Sequence, residues 1–245
     1  MMLSAFALRL CAIPAVILSI VALSATPGNA AIGVTPLSAA LGPGEMTASF
    51  TVSNPDSVER VVQLEISRWQ HGDGGNDVLT KTSDWIVSPP VIQIPALGSR
   101  VVRIGLRRRV PATEEVSYRL VLSEVRPHTD RSGLGVAVNT HVSLPVFIVP
   151  ITESKKKPEW SASRDAASHI VVTLKNAGPT HVHLSFFTLR DPSGKTLETS
   201  APSYVFSGET RTWTLVLDKS VPDPRNLIVE AHTDTGVQTI PIASR

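Results

Sequence analysis

The chain has 245 residues, 42% of them apolar and only 5% aromatic, with 23 Lys+Arg against 21 Asp+Glu. The first thirty residues hold one base, Arg9, and no acid, so the rest carries 22 bases against 21 acids. A net charge of +1 excludes bulk electrostatic attraction to nucleic acid. The only cysteine, Cys11, lies in those thirty residues, so residues 31–245 can form no disulfide and their stability must come from core burial over about 215 residues.

Residues 1–30 combine Arg9, an apolar run from Leu10 to about Ala25 broken by Pro14, and the small-residue end Gly28-Asn29-Ala30. This is the pattern of a cleaved secretory signal. No later stretch approaches eighteen consecutive apolar residues, so no membrane insertion is expected of the mature chain.

After Ile32–Leu37 and a turn at Gly42-Pro43-Gly44, Thr47–Asn54 alternates with a period of two and is expected to be a strand. Arg60–Trp69 follows, with Val62, Leu64 and Ile66 on one face and Trp69 assigned to the core. His71–Asp77 is glycine-rich and acidic but lacks the spacing and terminal Glu of a calcium loop, so it reads as a hairpin connection. Trp85–Pro95 and Arg100–Leu106 supply further strands, and the basic Arg107-Arg108-Arg109 reads as a solvated loop before Val110-Pro111.

Tyr118–Val125 is expected to pair with a strand written across 133–147. There Leu134, Val136, Val138, Val142 and Leu144 occupy one face, and Gly135, Ala137, Asn139, His141 and Ser143 the other. The pattern fits an ordinary core strand or an exposed edge strand, and the polar approach 127–133 favours the edge. About seven strands are expected before Pro150, with no convincing amphipathic helix among them, which indicates an immunoglobulin-like sandwich.

Residues 151–157, with Lys155-Lys156-Lys157, read as a linker between a domain at 31–150 and a smaller sandwich at 158–245. The second half is expected to use strands over His169–Leu174, Thr180–Leu189, Thr210–Leu217, Asn226–Ala231 and Gln238–Ile242. The fold class is therefore all-β, two immunoglobulin-like sandwiches. His181 and His183 share a strand face, but the sequence offers no evident third metal ligand. It also lacks a Gly-x-Ser-x-Gly elbow, a phosphate loop and a dinucleotide fingerprint. No enzyme activity and no cofactor are expected.

Several segments, in order and spacing, resemble the PapD-like periplasmic chaperones of chaperone-usher pilus assembly: Thr51-Val52-Ser53-Asn54-Pro55, Ser88-Pro89-Pro90 with Arg100–Ile104, Tyr118-Arg119-Leu120 with Glu124-Val125, and Ser143-Leu144-Pro145-Val146-Phe147. The last is more similar to the archaic branch, which serves spore-coat-U-type pilins. The resemblance implies a boomerang of two sandwiches in the periplasm, with pilin subunits and an outer-membrane usher as partners. It also implies that the seventh strand of the first domain completes an unfinished pilin fold, a recognised mode of strand addition. Leu134, Val136 and Val138 would then fill the pilin groove, with Val142 nearer the domain's own core. Burying three such side chains contributes roughly 5 to 9 kcal/mol before ordering costs.

The sequence departs from this family at one point. The arginine and lysine that anchor a pilin's terminal carboxylate in the P-pilus type correspond here to Ser38 and Ser143. A carboxylate in a cleft still needs a cation, and Arg119 and Arg103 are the candidates. Two rival readings share the composition: a secreted tandem immunoglobulin-like adhesin or carbohydrate-binding module, and a metal-dependent enzyme using His181 and His183.

Overall fold

The structure, a computed structural model, describes residues 32–125, 140–151, 155–165, 169–190, 196–198, 202–216 and 227–243. The expected signal at 1–30, the strand residues Leu134, Val136 and Val138, part of the linker and the turn at 191–195 lie outside the described residues. Among the described residues no helix is long and apolar enough to cross a membrane.

The first ten strands are β1 (Gly33–Thr35), β2 (Ala39–Leu41), β3 (Thr47–Ser53), β4 (Arg60–His71), β5 (Asp77–Lys81), β6 (Trp85–Ser88), β7 (Val91–Ile94), β8 (Ser99–Leu106), β9 (Val116–Val125) and β10 (His141–Ile148). They form two sheets, one ordered β1-β3-β8-β6 and the other β2-β10-β9-β4-β5, with β7 also paired to β4. Each long strand buries alternate residues between the sheets. Phe50 and Val52, Val62, Leu64 and Ile66, Val102 and Ile104, Tyr118, Leu120 and Leu122, and Leu144, Val146 and Ile148 make one core.

The remaining strands are β11 (Pro158–Arg164), β12 (Ile170–Asn176), β13 (Val182–Arg190), β14 (Thr196–Glu198), β15 (Ser203–Val205), β16 (Thr210–Leu215), β17 (Ile228–Thr233), β18 (Gly236–Ile240) and β19 (Ile242–Ala243). Their sheets run β16-β12-β11-β19 and β14-β13-β17-β18, with β15 on β13. Ile170, Val172, Leu184, Phe187, Leu189, Val229 and Ala231 pack between them. Both halves are immunoglobulin-like sandwiches.

Three expectations need correction. Trp69 is buried, but it is not part of the first core, because residue 69 has the opposite parity to Val62, Leu64 and Ile66 and faces out of the sandwich. Among the described residues ten strands, not about seven, precede Pro150, since β2, β5 and β7 are short or carry too little buried surface to show a period. The expected strand Gln238–Ile242 is broken at Pro241, with β18 in one sheet and β19 in the other.

Candidate functional site

Strand β10 is paired along its whole length to β9, from His141 opposite Ser123 to Ile148 opposite Val116. Its other edge is covered only at Val146–Ile148, by the parallel strand β2. Among the described residues, the His141–Pro145 edge has no strand partner, which leaves backbone donors and acceptors for another chain. Val142 is half-buried against the rim of the first core, with Leu144 fully inside it, while His141 and Ser143 are exposed on the opposite face.

The start of this strand is pinned by charge. Buried Arg60 donates to Glu124 at 2.7 Å and to Asp56 at 2.8 Å, and Glu124 donates its backbone N–H to the Thr140 carbonyl at 3.0 Å. The Asp56 carboxyl is held below its ordinary value by the Arg60 and Ser57 hydrogen bonds. Sequence reasoning misses Arg60. A basic residue directly before an apolar alternation is the available signal.

Arg119 lies on β9, directly opposite Pro145 on β10 and Ser67 on β4. Its side chain is 15% exposed, and its guanidinium sits 3.6 Å over the Trp69 ring and 5.6 Å from the Tyr204 ring centre. Asp77 approaches it to 3.7 Å, beyond hydrogen-bond length, and its buried Nε has no hydrogen-bond partner among the described residues. Burial lowers the guanidinium's pKa from its ordinary value, opposed by Asp77 and then Tyr204. The result is a desolvated cation with donor capacity to spare. Ser143, opposite Val121, is on the same face, two residues along β10 from Pro145.

Arg103 lies elsewhere. It is on β8 in the other sheet, between Ser49 and Ser88, exposed and pointing away from the core. The structure does not bring it to Arg119. Ser38 is exposed between β1 and β2.

Below Arg119 the two sandwiches meet through rings and ion pairs. Trp69 takes the edges of Tyr204 at 5.0 Å and Phe206 at 4.7 Å, Phe147 stacks on His181 at 4.1 Å, and His71 stacks on Phe206 at 4.4 Å. His71 Nδ1 is 2.8 Å from Glu209 and His181 Nδ1 is 2.6 Å from Glu115. Arg211 donates to the Gly75 carbonyl at 3.1 Å, and Glu115 donates its backbone N–H to the Pro179 carbonyl at 2.8 Å. His183 lies 4.4 Å from the Tyr204 ring, and burial lowers its pKa. Among the described residues no group of three or more His, Cys, Asp or Glu side chains is arranged to hold a metal.

The uncovered β10 edge and the half-buried Arg119 thus lie on one side of the first sandwich, whose family is identified by comparison with known proteins. Residues 32–153 match the family "Pili and flagellar-assembly chaperone, PapD N-terminal domain". The chain belongs to the PapD-like pilus chaperones. No curated protein sequence matches it. Among solved structures it is similar to the chaperone–tip adhesion subunit pre-assembly complex CsuC–CsuE from archaic chaperone-usher Csu pili of Acinetobacter baumannii. That match has 23% identity and a TM-score of 0.63 over 88% of this chain and 100% of that one. The Pseudomonas aeruginosa CupB2 chaperone matches at 19% identity and TM-score 0.57, over 84% of this chain and 97% of that one. The Salmonella enterica SafA pilin–SafB chaperone complex matches at 15% and 0.59, over 85% and 94%. These likenesses extend the two-sandwich fold beyond the domain that the family model covers.

Proposed function

We propose that the secreted chain is a periplasmic chaperone that binds pilin subunits by donor-strand complementation and delivers them to an outer-membrane usher, in the archaic branch of the pathway. A pilin that lacks one strand exposes an apolar groove and unpaired backbone groups, and both drive aggregation. A lent strand satisfies both at once. On this reading Leu134, Val136 and Val138 enter the groove, while the backbone of β10 forms the ladder.

One observation carries the proposal: the uncovered edge of β10 ends where β2 begins to pair, at Val146, one residue past the Pro145–Arg119 pair. A strand added along that edge would run out of room level with the Arg119 guanidinium. A chain-terminal carboxylate arriving there would meet a desolvated, bidentate donor. The Ser143–Phe147 ending and the likeness to the Csu chaperone support the archaic assignment. The signal pattern of residues 1–30 supports secretion.

The test is Val136→Asp. Co-expressed with its pilin in the periplasm, the variant is expected to capture no subunit while melting as the wild type does, because a charge cannot enter an apolar groove unpaired. Unfolding of the free variant would show instead that the strand belongs to the protein's own core.

A further inference from the structure

We infer that Tyr204, which comes from the second sandwich, is a positioning residue for Arg119, so that the anchor on the first sandwich is complete only when both sandwiches build it. The inference rests on the reading of Arg119 as the anchor of a subunit's terminal carboxylate. Arginines in binding sites are usually oriented by carboxylates or carbonyls that take up some of their five donors. Among the described residues Arg119 has no such support at Nε, and its neighbouring acid, Asp77, is 53% exposed and 3.7 Å away. What holds the guanidinium is a pair of aromatic rings, Trp69 at 3.6 Å and Tyr204 at 5.6 Å.

Contact with a ring face engages the cation through its charge and leaves its N–H edges unused. An arginine held this way keeps its fork free for a planar carboxylate, whereas one held by an acid would have to exchange partners. Trp69 cannot set this geometry alone. Its own ring is held by the edges of Tyr204, at 5.0 Å and 74°, and Phe206, at 4.7 Å and 88°.

Tyr204 in turn is fixed within the second sandwich. Its backbone pairs with His183 on β13, its ring lies 4.4 Å from the His183 ring, and its carbonyl accepts from Arg211 at 3.2 Å. A displacement of the second sandwich would therefore reach Arg119 through two rings. It is the Tyr204 ring that the guanidinium lies over, so phenylalanine should substitute for it.

The experiment uses the full secreted chain and two small probes: N-acetylglycine, which ends in a carboxylate, and its amide, which does not. Binding is read from the Arg119 Nε–H and Trp69 indole N–H resonances during titration. Wild type and Tyr204→Phe are expected to bind the acid and ignore the amide, Arg119→Ala to bind neither, and Tyr204→Leu to bind the acid about three- to tenfold more weakly. Tyr204 is half-buried, and its variants are checked by thermal melting. If leucine prevents folding, Tyr204→Met takes its place with the same expectation.

Acid binding by Tyr204→Leu equal to wild type, or an equal loss in Tyr204→Phe, overturns the positioning role while leaving the anchor in place. A wild type that treats acid and amide alike, or an Arg119→Ala variant that still binds the acid, overturns the anchor and the positioning role together.

Discussion

The two sandwiches solve one corner in the same way and another in opposite ways. In the first, buried Asn54 donates through Nδ2 to the carbonyls of Val58, Ile94 and Pro95, at 2.7, 3.3 and 3.1 Å, and accepts the Asp56 N–H at 3.0 Å. In the second, buried Asn176 donates to the carbonyls of Thr180, Val205 and Phe206, at 2.8, 2.9 and 3.1 Å, and accepts the Gly178 N–H at 3.0 Å. Asn54 directly follows β3 and Asn176 ends β12, and each ties its own turn to the end of a short strand, β7 or β15, and the residue after it.

The difference lies in which strand changes sheet. In the first sandwich the opening strand switches at Pro36, so β1 pairs β3 in one sheet while β2 pairs β10 in the other. In the second it is the closing strand that switches, at Pro241, from β18 on β17 to β19 on β11. Placing the break in the opening strand leaves β2 only three residues to cover β10, and the rest of that edge stays open. An edge for a guest strand thus follows from the position of one proline break.

The largest effect expected from this comparison is on stability. Asn54→Ala and Asn176→Ala each remove a buried amide whose two N–H groups serve three carbonyls, which should cost about 2–4 kcal/mol in either sandwich. Urea unfolding of the two variants checks it. If one variant is destabilised and the other is not, the correspondence between the corners is one of geometry and not of energy.

A smaller effect should separate the open edge from the rest of the surface. Ser143→Lys puts a cation on the Arg119 face at the uncovered part of β10, and should strengthen capture of a carboxylate-ended subunit by about threefold, less at high salt. The same charge at Ser161, exposed on β11, should change nothing. Equal gains at both sites would mean that net charge, not the edge, controls binding.

How much of this can be read from the residues depends on whether burial leaves a period. Strands β3, β4, β8 and β9 are legible because one face of each is buried and the other is not. Strand β5 is not, because all five of its residues are exposed, and β11 is hidden because its inward residues Trp160 and Ala162 sit among Pro, Glu, Ser and Arg. The candidate site shows a second limit. Alternation says that Arg103 and Arg119 both point out of their sandwich, and it is right for both, but it cannot say which sheet faces the second half of the chain. Tyr204 escapes notice for the same reason, as a lone ring in a three-residue strand whose partner ring, Trp69, reads from the sequence as a core residue.

The smallest effect concerns acid, and it sets contacts within a sandwich against contacts between the two. Within the first, the Tyr118 hydroxyl donates to Asp84 at 2.9 Å and holds that carboxyl below its ordinary value against the opposing effect of burial. Between the two, burial raises the Glu209 carboxyl, but the His71 ring and the Phe206 N–H outweigh it and hold the group below its ordinary 4.5. A carboxyl whose folded pKa is depressed adds stability that is fully present above its unfolded value and lost as pH falls through the folded one. Both contributions should therefore disappear on acidification below about 4, Asp84 from its ordinary 3.8 downward and Glu209 from 4.5 downward. Glu209→Gln should flatten the upper part of that acid limb and Asp84→Asn the lower part, measured as unfolding free energy in urea from about pH 6 to about pH 3. If Glu209→Gln leaves the limb unchanged while Asp84→Asn flattens it, the His71–Glu209 pair contributes no stability across the junction, and the ring contacts around Trp69 and the bond from Arg211 to the neutral Gly75 carbonyl carry that part of it.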